Sequence, residues 1–273
     1  MTNKINIIFL GDVVGRPGRW AIDNFVRRSN GGLINPESDF LIVNVENASH
    51  GFGLTKKNHE DLKSYGINAM TSGNHIWDKK EVYEYINDSD CLVRPLNYPN
   101  CNWGSGYKIF EVQGVKIAVT NLLGRTFMAP VDSPFEALKN LVEEIKDKAD
   151  LIFVDFHAEA TAEKVSFGYW AKDLGVHAVF GTHTHIQTAD EKILDDKTAY
   201  ITDAGFCGAF HSIIGMDVEA SLKRWTTCIH DRLDVVDSPI AQFNGVKFKF
   251  NKITKCCEQV QRISFVKNFS EVI

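Results

Sequence analysis

The sequence predicts an α/β protein with its functional site at the carboxyl ends of its strands. Three observations predict it. Short apolar, β-rich runs alternate with segments of helical spacing, the pattern of βαβ units. Five of the runs stop where residues of metal-ligand type begin, and in open α/β sheets the ligand crevice lies outside the carboxyl ends of the strands. The length of 273 residues allows burial of roughly three-quarters of the unfolded surface.

The elements follow in order. Ile5 to Leu10 is the first run and ends at Gly11-Asp12; a helix is expected at 18–29. Leu41 to Val45 ends at Glu46-Asn47, and a helix at 56–65 closes on Gly66, a residue suited to the left-handed C-cap. Ile67 to Ser72 ends at Gly73-Asn74-His75, with a helix expected at 78–87. Strands at 107–112 and 115–121 are joined by a turn at Gln113-Gly114. The strongest helix is 134–148: Ser133 caps it, Pro134 suits its first position, and Leu138, Leu141, Val142 and Ile145 form one apolar stripe. Leu151 to Phe156 ends at His157, and a helix at 161–174 closes on Gly175. Val176 to Phe180 ends at Gly181-Thr182-His183-Thr184-His185, and a strand at 199–202 ends at Asp203. In the last segment Val246, Phe248 and Phe250 alternate with lysines, Asn251-Lys252 turns, and Val260 to Val266 returns, which calls for antiparallel pairing. With no repeat, linker or low-complexity stretch, residues 1–273 read as a single domain.

The strand ends assemble Asp12, Glu46, Asn47, Asn74, His75, His157, His183 and His185, a set of two carboxylates, two amides and four imidazoles. A lone histidine at a strand end is ordinarily a satisfied core or surface residue. The whole set at one rim is different, because uncompensated it would cost several kcal/mol in desolvation and repulsion. About two metal ions in one site would compensate it. Mixed oxygen and nitrogen donors without thiolate favour Fe or Mn, with Zn also compatible, and argue against calcium. His75 follows a candidate ligand, so it faces the substrate and can protonate a leaving oxygen. Asp78, three residues on, either orients that imidazole or partners a helix dipole.

Composition excludes other classes. The net charge of −5 gives no global field to draw in nucleic acid. Cys91, Cys101, Cys207, Cys228, Cys256 and Cys257 show no CxxC and no framework spacing, so they read as free thiols of a reducing compartment. The first apolar run is broken by Asp12, too early for a signal peptide or a membrane span, and the chain reads as cytoplasmic with no membrane partner.

Weaker signals have bland readings beside them. Gly11-Asp12-Val13-Val14-Gly15 lacks GxGxxG spacing, and its Asp would repel a pyrophosphate. His50 touches substrate or is a solvated loop residue; Arg125 binds a phosphate or a surface carboxylate. Asp203 supports the site or forms a turn. Trp77 lines a base-stacking wall or packs in the core. His59, His177, His211 and His230 are given no role.

At these motifs the chain resembles the calcineurin-like metallophosphoesterases, through Gly11-Asp12, Gly73-Asn74-His75, a strand-end His157 and the GTHTH segment. More narrowly it is similar to the bacterial YmdB-like branch, in the stretches FLGDVVGRPGR, NVENASHGFGLT, SGNHIWDKKE, VDFHAEATAEK, GTHTHIQTADE and YITDAG, from residue 9 to about 205. It departs from the broad superfamily where Asp12 is followed by Val13-Val14 rather than by a histidine two residues on, and where Val45-Glu46-Asn47 replaces the second motif. The resemblance implies a sandwich of two mixed β-sheets flanked by helices. It implies one metal on Asp12, Glu46, Asn47 and His185, a second on Glu46, Asn74, His157 and His183, and His75 as the general acid.

It also implies a metal-dependent phosphodiesterase acting on 2′,3′-cyclic nucleotides or related phosphodiesters. In two-metal chemistry the cations lower the pKa of a bridging water, hydroxide attacks phosphorus in line, and His75 protonates the leaving ribose oxygen. Two alternatives stand beside it: a phosphomonoesterase or protein phosphatase on the same site, and a metal-bound regulator of nucleotides or RNA with little turnover. The implied partner is a small phosphodiester, with RNA ends and a homo-oligomer left open. The residues that would bind the substrate are not assigned.

Overall fold

A computed structural model describes residues 3–27, 34–35, 39–229 and 232–269. The elements are β1 (Lys4–Leu10), β2 (Asp12–Val13), α1 (Gly15–Ile22) with a π-helical turn (Asp23–Arg27), β3 (Asp39–Asn44), α2 (Lys56–Ser64), β4 (Ala69–Thr71) and α3 (Val82–Tyr85). Then come β5 (Tyr107–Val112), β6 (Val115–Leu123), α4 (Pro134–Ile145), β7 (Leu151–His157), α5 (Thr161–Asp173) and β8 (Ala178–Thr182). The last are β9 (Lys192–Leu194), β10 (Thr198–Ile201), β11 (Phe206–Ala209), α6 (Val218–Thr227), β12 (Ile240–Asn251) and β13 (Cys257–Asn268).

The strands form two mixed sheets, one in the order β2-β11-β12-β1-β3-β4 with β13 on the far edge of β12, the other β5-β6-β7-β8-β10-β9. Alternation along each strand sorts the side chains into layers. Ile5, Ile7 and Phe9 of β1, Phe40 and Ile42 of β3, Phe153 of β7, Phe180 of β8 and Phe248 of β12 meet between the sheets. Phe9 and Phe180 stack there with ring centroids 3.8 Å apart. The opposite faces pack outward: Ile8, Leu10, Leu41 and Val43 with Ala21 and Leu62 of α1 and α2, and Val154 and Phe156 with Leu138 and Phe167 of α4 and α5. The result is the helix-flanked sandwich that the resemblance implied.

The same alternation continues past the apolar layer and builds the floor of the site. Asn44, Thr71, Asp155 and Thr182 occupy the inward-facing positions at the carboxyl ends of β3, β4, β7 and β8, and all are buried. Asp12 gets to this rim by a different device. One edge of β12 pairs with β1 up to Leu10↔Gly245 and then with β11 at Gly208↔Gln242. At that switch Gly11 N–H donates to Asn244 O at 3.2 Å and Asp12 N–H to Gly205 O at 3.1 Å. A Cβ on Gly11 would overlap the Gly205 carbonyl, so only glycine allows this close passage.

Several expected elements differ. The helix expected at 18–29 starts at Gly15, since Pro17 sits in its first turn where no intrahelical donor is needed, and becomes π-helical from Asp23; residues 28 and 29 lie outside the described residues. The helix expected at 78–87 contracts to Val82–Tyr85, because residues 75–81 make successive tight turns, with Asp78 N–H to His75 O at 3.0 Å and Val82 N–H to Lys79 O at 3.0 Å. α6 has no counterpart in the sequence reading: Asp217 caps it, but Ser221 is its buried residue while Val218, Leu222 and Trp225 are exposed. β2, β9 and β11 are too short to carry a readable period. No helix among the described residues is long and apolar enough to cross a membrane.

Candidate metal centre

Asp12, Glu46, Asn47, Asn74, His157, His183 and His185 converge. Donor atoms of Asp12, Glu46 and His185 lie within 4.8 Å of one another, and so do those of Glu46, His157 and His183. Glu46 is common to both groups. Its Oε1 is 3.1 Å from His157 Nε2, and its Oε2 accepts the His75 backbone N–H at 3.1 Å. His157 Nε2 also lies 3.0 Å from Asn74 Oδ1 and 3.1 Å from His183 Nδ1. Asn47 Nδ2 reaches Glu46 Oε1 at 3.2 Å and His185 Nε2 at 3.0 Å.

The three clustered imidazoles are held alike, each by its outer nitrogen. The Thr182 hydroxyl donates to the Asp155 carboxylate at 2.6 Å, so its oxygen accepts from His157 Nδ1–H at 2.8 Å. His185 Nδ1 faces the Ile214 carbonyl at 2.9 Å, which can only accept. His183 Nε2 faces a Glu159 carboxylate oxygen at 3.1 Å. All three inner nitrogens therefore point at the same small volume, the arrangement by which outer partners orient metal-binding histidines.

The polar surroundings fit cations. Asp12 Oδ1 and Asn47 Oδ1 are buried and have no hydrogen-bond partner, a costly state for oxygen lone pairs that a cation would relieve. A Cβ on Gly73 would collide with Glu46 and His157, so glycine keeps the space around these donors open. Burial raises the Asp12 carboxyl well above its ordinary pKa, with Glu46 adding to the rise and His157 opposing it. Burial alone would lower the His157 pKa, but the charge and hydrogen bond of Glu46, then Asp12, lift it to about 9. Burial tends to raise Glu46, yet His157 and His75 bring it below the usual carboxylate range. Burial and neighbouring His157 push His183 down to about 3, and burial lowers His185. Without a cation, these opposite shifts leave Glu46 ionised and the proton on the His157 imidazole that faces it.

Behind the histidines lie supports that the sequence reading did not assign. Asp155 accepts from Thr71 Oγ1 at 2.5 Å and Asn44 Nδ2 at 2.9 Å besides Thr182, and burial raises its pKa to about 6. Asp155 interrupts an apolar run, a signal visible in Leu151-Ile152-Phe153-Val154-Asp155-Phe156. Lys164, fully buried on α5, donates to Thr182 O at 2.7 Å and Asp203 Oδ2 at 2.6 Å. Asp203 also accepts from Thr184 N–H and Thr184 Oγ1, so it supports the histidine loop rather than merely forming a turn. That loop is strained: His183 and His185 have φ of 99° and 63°, in the region that favours glycine. Nothing in the helical spacing around Lys164 marks it as more than a surface lysine.

The remaining candidates fall differently. His75 is part-exposed, and its Nδ1 lies 2.8 Å from Asp78 Oδ2; with no helix starting there, Asp78 is an imidazole partner and not a dipole partner. His50 and Arg125 are exposed, and a Glu163 oxygen takes the Arg125 backbone N–H. His59 does have partners, Ser89 Oγ at 2.9 Å and Cys91 Sγ, in a buried cluster away from the rim. His177 Nδ1 accepts from Ile152 N–H at 3.1 Å, His211 is exposed, and His230 lies outside the described residues. The six cysteines are unbridged.

The YmdB-like protein family model matches residues 8–263. The chain is similar to the 2′,3′-cyclic-nucleotide 2′-phosphodiesterase of Bacillus subtilis (strain 168), with 43% identity over 259 residues covering 95% of this chain and 96% of the relative. A crystal structure from Mycoplasma pneumoniae described as a novel phosphatase superposes with a TM-score of 0.90 at 39% identity, covering 99% of this chain and 96% of that one. A crystal structure from Thermus thermophilus described as a hypothetical protein gives 0.88 at 36% identity, covering 96% of this chain and 100% of that one. Over nearly its whole length, the chain belongs to the YmdB-like branch of the calcineurin-like metallophosphoesterases.

Proposed function

We propose that this chain is a metal-dependent phosphodiesterase that hydrolyses 2′,3′-cyclic nucleotides or closely related diesters. The observation that carries the reading is the set of three imidazoles pinned by their outer nitrogens, with inner nitrogens aimed at the shared Glu46 and the unpartnered oxygens of Asp12 and Asn47. The activity named for the B. subtilis relative supplies the substrate class.

Asp12, Glu46, Asn47 and His185 would hold one cation, and Glu46, Asn74, His157 and His183 the other. Donors of oxygen and nitrogen without sulfur suit Fe or Mn, and also Zn. Bound there, two cations supply charge stabilisation at the phosphoryl oxygens and lower the pKa of water toward neutrality. The chain's own part is to orient and to move a proton. Asp78 takes the Nδ1–H of His75, which leaves Nε2 to carry a proton to the leaving ribose oxygen. The His75 backbone N–H meanwhile holds Glu46, so side-chain and main-chain roles separate at this residue.

That separation sets the test. His75→Ala keeps the backbone bond to Glu46, so it should bind metal like the parent while turnover of adenosine 2′,3′-cyclic monophosphate falls roughly 10²–10⁴-fold. Hydrolysis assays and metal analysis on the same samples check it. Undiminished turnover would remove His75 from the reaction, and no diesterase activity in Fe-, Mn- or Zn-loaded parent protein would remove the reading itself.

A further inference from the structure

A second feature includes Trp77, in the turn that carries His75. Trp77, Tyr83, Tyr98, Pro99, Cys101 and Trp103 line a cavity of about 440 Å³, within the range of small-molecule sites. Four of the six are aromatic and none carries a formal charge. Trp77 and Tyr83 stack at 5.1 Å with their planes 6° apart, Trp103 meets the Tyr83 ring edge-on at 5.3 Å, and Tyr98 lies 5.9 Å from Trp77. The inner sides of Trp77 and Tyr98 rest on the core, while Tyr83 and Trp103 are 36% and 45% exposed. A surface this aromatic is an unusual thing to leave in water.

One relationship ties the cavity to the reaction. Trp77 stands in the turn that carries His75 and Asp78, between the proposed acid and its partner. The wall is also preformed. Arg94 is buried beneath the 98–103 loop and donates to the carbonyls of Trp103 at 3.1 Å, Cys101 at 3.1 Å and Pro95 at 2.7 Å, while Gly104 N–H donates to Asn87 Oδ1 at 2.7 Å. A loop fixed by its carbonyls can present rings without ordering them at the moment of binding.

In a 2′,3′-cyclic nucleotide the base is one sugar away from phosphorus. With the phosphate at the metal ligands and the ribose oxygen beside His75, the base projects beyond the ribose, and an uncharged aromatic cavity on the His75 turn matches an uncharged aromatic ring system. We propose that this cavity is the nucleobase subsite, with Trp103 and Tyr83 its exposed contact faces. The inference rests on the phosphodiesterase reading and deepens it: the enzyme holds its substrate by base as well as by phosphate. Recognition is by stacking, which tolerates any base because every base has a π-face.

The test compares adenosine 2′,3′-cyclic monophosphate with methyl riboside 2′,3′-cyclic phosphate, which lacks a base, on the metal-loaded full chain. The ratio of kcat/KM for the first over the second should fall roughly 5- to 150-fold in Trp103→Ala and in Tyr83→Ala, through KM, and recover in Trp103→Phe, which restores a ring. If the parent cleaves both substrates and the alanine variants keep its ratio, the subsite is wrong and the diesterase reading stands. If the metal-loaded parent cleaves neither, the diesterase reading falls and takes the subsite with it.

Discussion

Thr182 Oγ1 lies 2.8 Å from His157 Nδ1 and fixes which nitrogen of that ring faces the metal centre. The hydroxyl has one proton, and the buried Asp155 carboxylate takes it at 2.6 Å. Nδ1 must then donate, leaving Nε2 to turn toward Glu46, Asn74 and His183.

Thr182→Val removes the hydroxyl while keeping the shape. It should weaken metal binding about 10–100-fold, the usual effect of losing the partner that orients a histidine ligand. Thr182→Ser should restore most of the affinity. Titration with Mn²⁺ followed by calorimetry reads both, and parent-like affinity in the valine variant would show that Asp155 and Thr182 are only structural.

Metal uptake should release protons. His157, with its pKa raised to about 9, carries a proton at pH 7.5 in metal-free protein, and a cation at Nε2 must displace it. Calorimetry at pH 7.5 in two buffers of different ionisation enthalpy should show release of about one proton or more, with affinity rising toward pH 9. The same shift has a sign for folding. Because the folded pKa lies above the unfolded value, this histidine's stabilisation of metal-free protein is complete below about pH 6.5 and is lost as pH rises through about 9. A pH-independent metal affinity would contradict the proton placed on His157.

Lys164→Met should destabilise the protein by about 3–5 kcal/mol in urea unfolding, because it strips the partner from a buried Asp203 carboxylate. It should also loosen His183 and His185, whose left-handed backbone Asp203 and Thr182 hold in place. A loss under about 1 kcal/mol would mean that water enters and replaces the ammonium.

The rim was legible in the sequence because strand alternation and strand ends are local. Apolar runs marked β1, β3, β4, β7 and β8, and the residues just past them are those that converge. What lies behind them was not legible. Thr182 sits in plain view within GTHTH, but its role depends on Asp155, 27 residues away, and on His157. Lys164 looks like any helix lysine until α5 is packed on β8. The Asp78–His75 contact replaces a helix that spacing suggested, since side-chain and turn bonds in residues 75–81 won over periodicity. The aromatic cavity joins segments around 77–83 and 98–103 that share no pattern, so only Trp77 hinted at it.

Seven side chains closing around two cations is the claim on which the proposed chemistry depends. Equilibrium dialysis of the full chain against Mn²⁺, with metal analysis, tests it most directly. The expected result is about two ions per chain, both lost in Glu46→Gln, the one residue shared by the two sites. Binding of fewer than about one ion, or stoichiometry untouched by Glu46→Gln, would contradict it.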